Sequence, residues 1–231
     1  SEFSQLQSIL VSWAVSAETA GIYAINITPE FRMPTPKPFY DYADAKFSEI
    51  IKAMRGVYSG KIYASNFNHY GGVRVNPRPK YINDVDALIF FLPTLSVREG
   101  ASIAEMRAAW TEFLDSYEAD FADYKKPIQL VATTASYAGA NNGKGGMEWG
   151  DFGEVAQAGY VRDWQGQADA HEALFQAFAG RTRFAGISPG TKFAWDDLMA
   201  PYYASPRNDL TPNIRNKPAE AVWKKWALPV K

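Results

Sequence analysis

Few residues in this chain have the types and spacing that chemistry requires. There is no cysteine, which excludes thiolate nucleophiles, disulfides and cysteine metal sites. The two histidines, His69 and His171, form no HxxxH or HExxH pattern, so a histidine-based metal centre is not expected. Ser136 has no histidine partner evident in the sequence. Thr134 would need an activating base to serve as a nucleophile, and none is evident nearby. No GxSxG elbow, phosphate loop or GxGxxG fingerprint occurs, and the glycine-rich NNGKGG at 141–146 reads as a flexible loop. No cofactor is expected. What remains is carboxyl chemistry. Glu30 directly follows a short apolar run, where partial burial favours the protonated form and suits it to donate a proton. Glu148, Asp151, Asp196 and Asp197 lie in two later loops. Each of these five also reads as an ordinary loop charge, and the Asp196–Asp197 pair behind Trp195 suits a helix N-cap.

The elements that must position these groups alternate. Leu6, Ile9, Leu10, Trp13 and Ala14 recur at helical spacing, which predicts a helix over 4–20 ended by Gly21. A β-rich run over 22–27 follows, then a Pro-rich loop and a helix over 46–58 with Phe47, Ile50, Ile51 and Met54 on one face. Strands are predicted at 61–66 and 86–93, the latter apolar enough to be buried on both faces. A helix over 102–124 leads to the run QLVATTASYAGA, a strand that turns from apolar to small and hydroxylated. A helix over 154–179, a fifth strand within 184–197 broken at Pro189-Gly190, and a helix over 217–227 complete the order. Five βα units of this kind predict a parallel sheet with right-handed crossovers and outer helices. The loops after the strands (28–45, 67–85, 94–101, 135–153 and 196–216) are long, whereas the reverse connections are short, which places function at the C-terminal strand ends.

With 231 residues, 47% of them hydrophobic, the chain can bury a large core as one domain. Its 24 basic and 25 acidic residues are well mixed, so neither nucleic acid nor an anionic membrane is an expected partner. No run has membrane-spanning length and no signal peptide is evident, so both cytoplasm and exterior (with a leader removed) stay open. Residues 1–3 read as a cloning scar, and 4–231 as one domain.

The order of motifs resembles the C-terminal part of a clan A glycoside hydrolase barrel of the family 113 mannanase-like group. The stretch SILVSWAVSAETAGIYAINITPEF is similar to the family's third helix and fourth strand. IIKAMRGVYSGKIYASN is similar to the next helix and the fifth strand, INDVDALIFFLP to the sixth strand and KPIQLVATTASYAGA to the seventh. FAW resembles the eighth, and NKPAEAVWKKW a final helix. The resemblance covers nearly all of 4–228 and implies an incomplete (βα) TIM-type barrel of about five parallel strands. A full eight-strand barrel takes about 250 residues, roughly 31 per unit, against about 45 per unit here. The first three strands of the family barrel have no counterpart.

The resemblance puts Glu30 at the general acid/base position. It puts Thr134 where the family carries its nucleophilic glutamate, three residues before Tyr137. A retaining glycosidase needs two carboxyls, so the second would come from Glu148, Asp151, Asp196 or Asp197. Trp195, Tyr137, Trp149, His69 and Asn66 are the residues expected to face a sugar, though the aromatics among them also suit core packing. Two functions follow from the resemblance. One is a glycoside hydrolase acting on β-linked sugars; the other is a catalytically silent, truncated barrel that binds carbohydrate or acts through assembly. An incomplete barrel exposes two sheet edges and an apolar inner face, so a homo-oligomer that covers the open side is also expected.

Overall fold

The computed structural model describes residues 2–27, 37–65, 69–70, 73–74, 79–141, 160–190, 210 and 214–227; for 37–40, 69–70 and 73–74 it describes the backbone alone. The elements run α1 (Glu2–Thr19), β1 (Ala24–Ile27), α2 (Lys37–Arg55), β2 (Lys61–Ser65), β3 (His69–Tyr70), β4 (Val73–Arg74) and a 3₁₀ turn (Lys80–Asn83). They continue with β5 (Ala87–Phe91), α3 (Ile103–Asp120), β6 (Ile128–Ala132), α4 (Trp164–Phe178), β7 (Phe184–Pro189) and α5 (Pro218–Trp226). Among the described residues, five parallel strands form one open sheet in the order β1-β2-β5-β6-β7. This is an incomplete (βα) barrel fold. The register pairs Ile25 with Ile62 and Ala64 with Leu88. Ile62, Leu88, Ile128 and Leu130 are fully buried, each worth about 2 kcal/mol of apolar burial.

The chain forms two compact units. In the first, Gly21 takes a left-handed conformation (φ 64°), and the Gly21 and Ile22 amides donate to the Glu18 and Ala17 carbonyls. That pair of bonds is a Schellman stop and explains why α1 ends there. Ala43, Phe47, Ile50, Ile51 and Met54 make the buried stripe of α2. Phe3 packs edge-on against Tyr42 and Phe47. The Asp44 carboxylate accepts from the Lys80 and Tyr81 amides, each at 2.8 Å, and so anchors the 3₁₀ turn to α2.

In the second unit, Ser102 and Glu105 form a capping box at the start of α3. Trp110, Leu114 and Tyr117 are the inward face of that helix. α4 buries Ala168, Ala170, Ala173 and Leu174, and Ala168 clusters with Ile214 and Ala219 at the start of α5. Glu172 on α4 accepts from Lys225 Nζ at 2.7 Å and Trp226 Nε1 at 2.9 Å on α5, fixing the two helices together.

Several predicted boundaries move. α2 begins at Lys37, not 46, because Pro38 falls in the first turn, where its missing N–H costs nothing. Residues 160–163 are not helical: Arg162 bridges to Tyr137 and Asp163 caps α4, so the helix starts at Trp164. α3 stops at Asp120, with Phe121 as its C-cap. The short antiparallel pair β3–β4, with Tyr70 opposite Val73, lies inside a stretch expected to be loop. Its signal in the sequence was the Gly71-Gly72 dipeptide.

Candidate functional site

The tip of β6 is the part of the expected site that the structure describes in full. Ile128, Leu130, Val131 and Ala132 are buried, and the strand ends at Ala132, where the sequence changes to threonine and serine. Gly190, just past β7, donates its amide to the Ala132 carbonyl at 2.7 Å. A Cβ at Gly190 would stand 2.3 Å from Thr133 Cγ2, so only glycine allows this approach. Thr134 is half-buried, and its carbonyl accepts from Gln167 Nε2 on α4 at 2.8 Å.

Ser136 is fully buried and bonded through every polar atom. Its amide donates to the Leu210 carbonyl at 3.1 Å, and its carbonyl accepts from the Asp163 amide at 2.8 Å. Its Oγ accepts from Lys217 Nζ at 2.8 Å. Lys217 is itself only 8% exposed, and Pro218 behind it starts α5. This bond ties the strand end to the start of α5. Asp163 accepts from the Gly166 amide at 2.7 Å, holding the first turn of α4 beside the same tip.

Tyr137 is buried among Ala140 and Leu210, with Tyr160 edge-on at 4.8 Å. The Ala138 amide continues the bridge by donating to the Val161 carbonyl at 2.8 Å. A cavity of about 240 Å³ opens next to this loop, lined by Val97, Asn141, Asp163, Gln165 and Asp169 among others. A second, of about 400 Å³, lies between the segment after β5 and α3, lined by Thr94, Ser96, Trp110, Glu112, Phe113 and Ser116.

Thr134 and Tyr137 are therefore brought to one strand end. Glu30, Asn66, Glu148, Trp149, Asp151, Trp195, Asp196 and Asp197 lie outside the described residues. His69 is placed by its backbone alone, in β3 opposite Arg74. His171 belongs to the core of α4. It is fully buried, its ring is 5.6 Å from Trp223, and neither nitrogen has a hydrogen-bond partner among the described residues. Burial lowers its pKa to about 4, so it is neutral at neutral pH. Among the described residues, no group of three or more His, Cys, Asp or Glu side chains could hold a metal ion. No helix among them is long and apolar enough to cross a membrane. Sequence reasoning missed Gln167 and Lys217. The available signals were Asp163 three residues before Gly166, an N-cap, and the Lys217-Pro218 helix start.

No protein-family profile matches the sequence, and no curated protein matches it. Solved structures do match. A GH113 β-1,4-mannanase aligns over 97% of this chain with a TM-score of 0.63 and 18% identity. A GH113 β-mannanase from Alicyclobacillus acidocaldarius, solved in complex with ManMIm, aligns over 97% of this chain with a TM-score of 0.63 and 14% identity. This chain has the fold of the GH113 β-mannanases. It spans 62% of the length of the first and 61% of the second. A glycoside-hydrolase-like barrel in part is thus the fold that carries the β6 tip.

Proposed function

We propose that this protein acts as a glycoside hydrolase on β-linked sugars, with Glu30 as general acid/base. The observation that carries this reading is the likeness of fold to enzymes whose names state a β-1,4-mannanase activity, joined to the position of Glu30 after β1. In such a site Glu30 donates its proton to the glycosidic oxygen as the bond to C1 breaks. In the same displacement a second carboxylate either attacks C1, giving a glycosyl-enzyme that water deprotonated by Glu30 then hydrolyses, or takes the proton of the water that attacks C1. Thr134 carries no carboxylate, so Glu148 or Asp196 fills that second role. Trp195 and Trp149 offer apolar faces to the sugar ring, and Asn66 and His69 bind its hydroxyls. Tyr137, packed beneath Tyr160, supports the tip from inside.

A second reading rests on Thr134 alone: with a threonine in the nucleophile's place, the barrel binds carbohydrate without cleaving it. Incubating the purified protein with a panel of aryl β-glycosides, aryl β-mannosides included, separates the two. Release of the aryl alcohol supports the hydrolase. Binding without release supports the silent barrel. The anomer formed first, read by NMR, then reports whether the second carboxyl attacks C1 directly (retention) or through water (inversion).

A further inference from the structure

The cavity of about 400 Å³ between the segment after β5 and α3 has no part in the proposed reaction. β5 is the middle strand of the five-stranded sheet, with two strands on either side of it, so neither edge of the sheet forms the cavity's walls. Among the described residues those walls come from one continuous stretch, 93–116. One wall is a strip pinned at both ends. The Leu92 amide donates to the Val131 carbonyl at 2.8 Å, and the Val97 amide to the Asn141 carbonyl at 2.9 Å. The other wall is α3, whose start is fixed by the Ser102–Glu105 capping box. Ala109 and Ser116, four residues before and three after Phe113 on one helix face, are small, and this leaves the space open.

The lining has an apolar floor and a polar rim. Leu95 and Trp110, 5% and 2% exposed, close the floor. Phe113 is half-buried, and its ring is held by two neighbours, Trp110 edge-on at 5.8 Å and Tyr117 at 4.7 Å. A ring fixed in this way offers an apolar surface that loses little conformational entropy on binding. Thr94, Ser96 and Glu112 are exposed lining residues. They add two hydroxyls, which donate and accept, and a carboxylate, which accepts. A cavity of this volume suits a small molecule and is too small for a folded partner.

These groups select among ligand classes. Among the described residues no lysine or arginine lines the cavity, so an anion finds no counter-charge and meets Glu112 instead. A purely apolar molecule would use the floor and none of the rim. A cation would pair with Glu112 and Phe113 but leave the hydroxyls of Thr94 and Ser96 unused. A neutral ring with an apolar face and hydroxyls along its edge uses every one of these groups. Its C–H face lies on Phe113, and its hydroxyls donate to the Glu112 carboxylate and exchange hydrogen bonds with Thr94 and Ser96. That is the chemistry of a pyranose.

We propose that this cavity binds a neutral sugar, with Phe113 as its platform and Glu112 as the acceptor of its hydroxyls; the choice of a β-linked sugar as probe rests on the proposed function. Backbone amide NMR spectra of the Glu30→Gln protein, titrated with β-1,4-mannobiose, test it. The amides of Thr94, Ser96, Ala109 and Phe113 should shift and saturate with a dissociation constant on the order of 1 mM. Phe113→Ala should weaken this binding by roughly tenfold or more, whereas Phe113→Tyr should keep it. Ala109→Trp, which fills the cavity from a half-buried position, should abolish it. Amides that do not move up to about 50 mM mannobiose overturn the proposal, and so do shifts indifferent to both Phe113→Ala and Ala109→Trp. A response to tetramethylammonium in place of mannobiose overturns it too. Release of aryl alcohol from aryl β-mannosides by the wild-type protein tests the catalytic reading separately. A protein that cleaves them without a shift at the cavity refutes this inference alone; one that binds mannobiose there without cleaving refutes the other alone.

Discussion

α1 and the β6 tip treat polarity in opposite ways. α1 leaves Ile9 and Trp13 in solvent and carries no charge between Phe3 and Ala17. The β6 tip takes Ser136, Gln167 and Lys217 out of solvent and binds them to one another's surroundings. An exposed apolar residue costs its own chain little, because much of any folded surface is apolar; its consequence appears between molecules. A buried polar group costs its own chain a great deal unless a partner replaces water. The comparison separates a surface that leaves apolar groups in water from a tip that keeps polar groups out of it.

The largest effect expected from breaking that contrast comes from His171, a buried polar residue whose ring nitrogens have no partner among the described residues. Its pKa is lowered to about 4 from an ordinary value of 6.5. The unfolded chain therefore binds a proton that the folded chain refuses between those two values. The associated stability is complete above pH 6.5 and is lost as pH falls through that window, the loss reaching roughly 3 kcal/mol by about pH 4. Urea denaturation at pH 7 and pH 4 should show the loss in the wild-type protein, whereas His171→Met should lack this component. Equal acid sensitivity in both proteins would remove His171 from the account.

Lys217→Met comes next. It leaves the buried Ser136 hydroxyl without its ammonium donor and should cost about 2 kcal/mol in urea denaturation at pH 7. A cost near zero would mean that Ser136 is satisfied by other means. Asp163→Ala removes the α4 cap bond to the Gly166 amide and should cost about 1 kcal/mol. Trp13→Glu is the counter-case: because Trp13 is 61% exposed, it should alter folding stability by no more than about 0.5 kcal/mol. A larger loss would place Trp13 inside the fold and erase the contrast.

Legibility in the sequence followed the same division. Apolar periodicity announced the helices and strands, since burial of Phe47, Ile50, Leu88 or Leu130 needs only a pattern and a partner layer. Gly21 announced the end of α1, and the chain's backbone geometry there explains why. Long-range polar bonds left no such trace. Ser136 and Lys217 are 81 residues apart, and nothing local in either segment says that they meet. The start of α4 was misplaced for a related reason: helical propensity in 160–163 loses to the bridge between Arg162 and Tyr137, a tertiary contact. At the site, the run behind Ala132 correctly signalled a strand end. Its hydroxyls had no activating partner evident in the sequence, and Ser136 is used to hold the tip together. Gly190 was read as a strand breaker, and its close approach to Thr133 gives it a sharper role.

The central claim is that Glu30 donates the proton that lets a β-glycosidic bond break. The direct measurement is kcat/KM on an aryl β-mannoside for the wild-type protein and for Glu30→Gln. With a substrate whose leaving group needs protonation, the account predicts a loss of about 10²- to 10⁴-fold. Substrates with more acidic aryl alcohols should recover part of it, because they depend less on a proton donor. A Glu30→Gln protein with undiminished activity on both kinds of substrate would contradict the account.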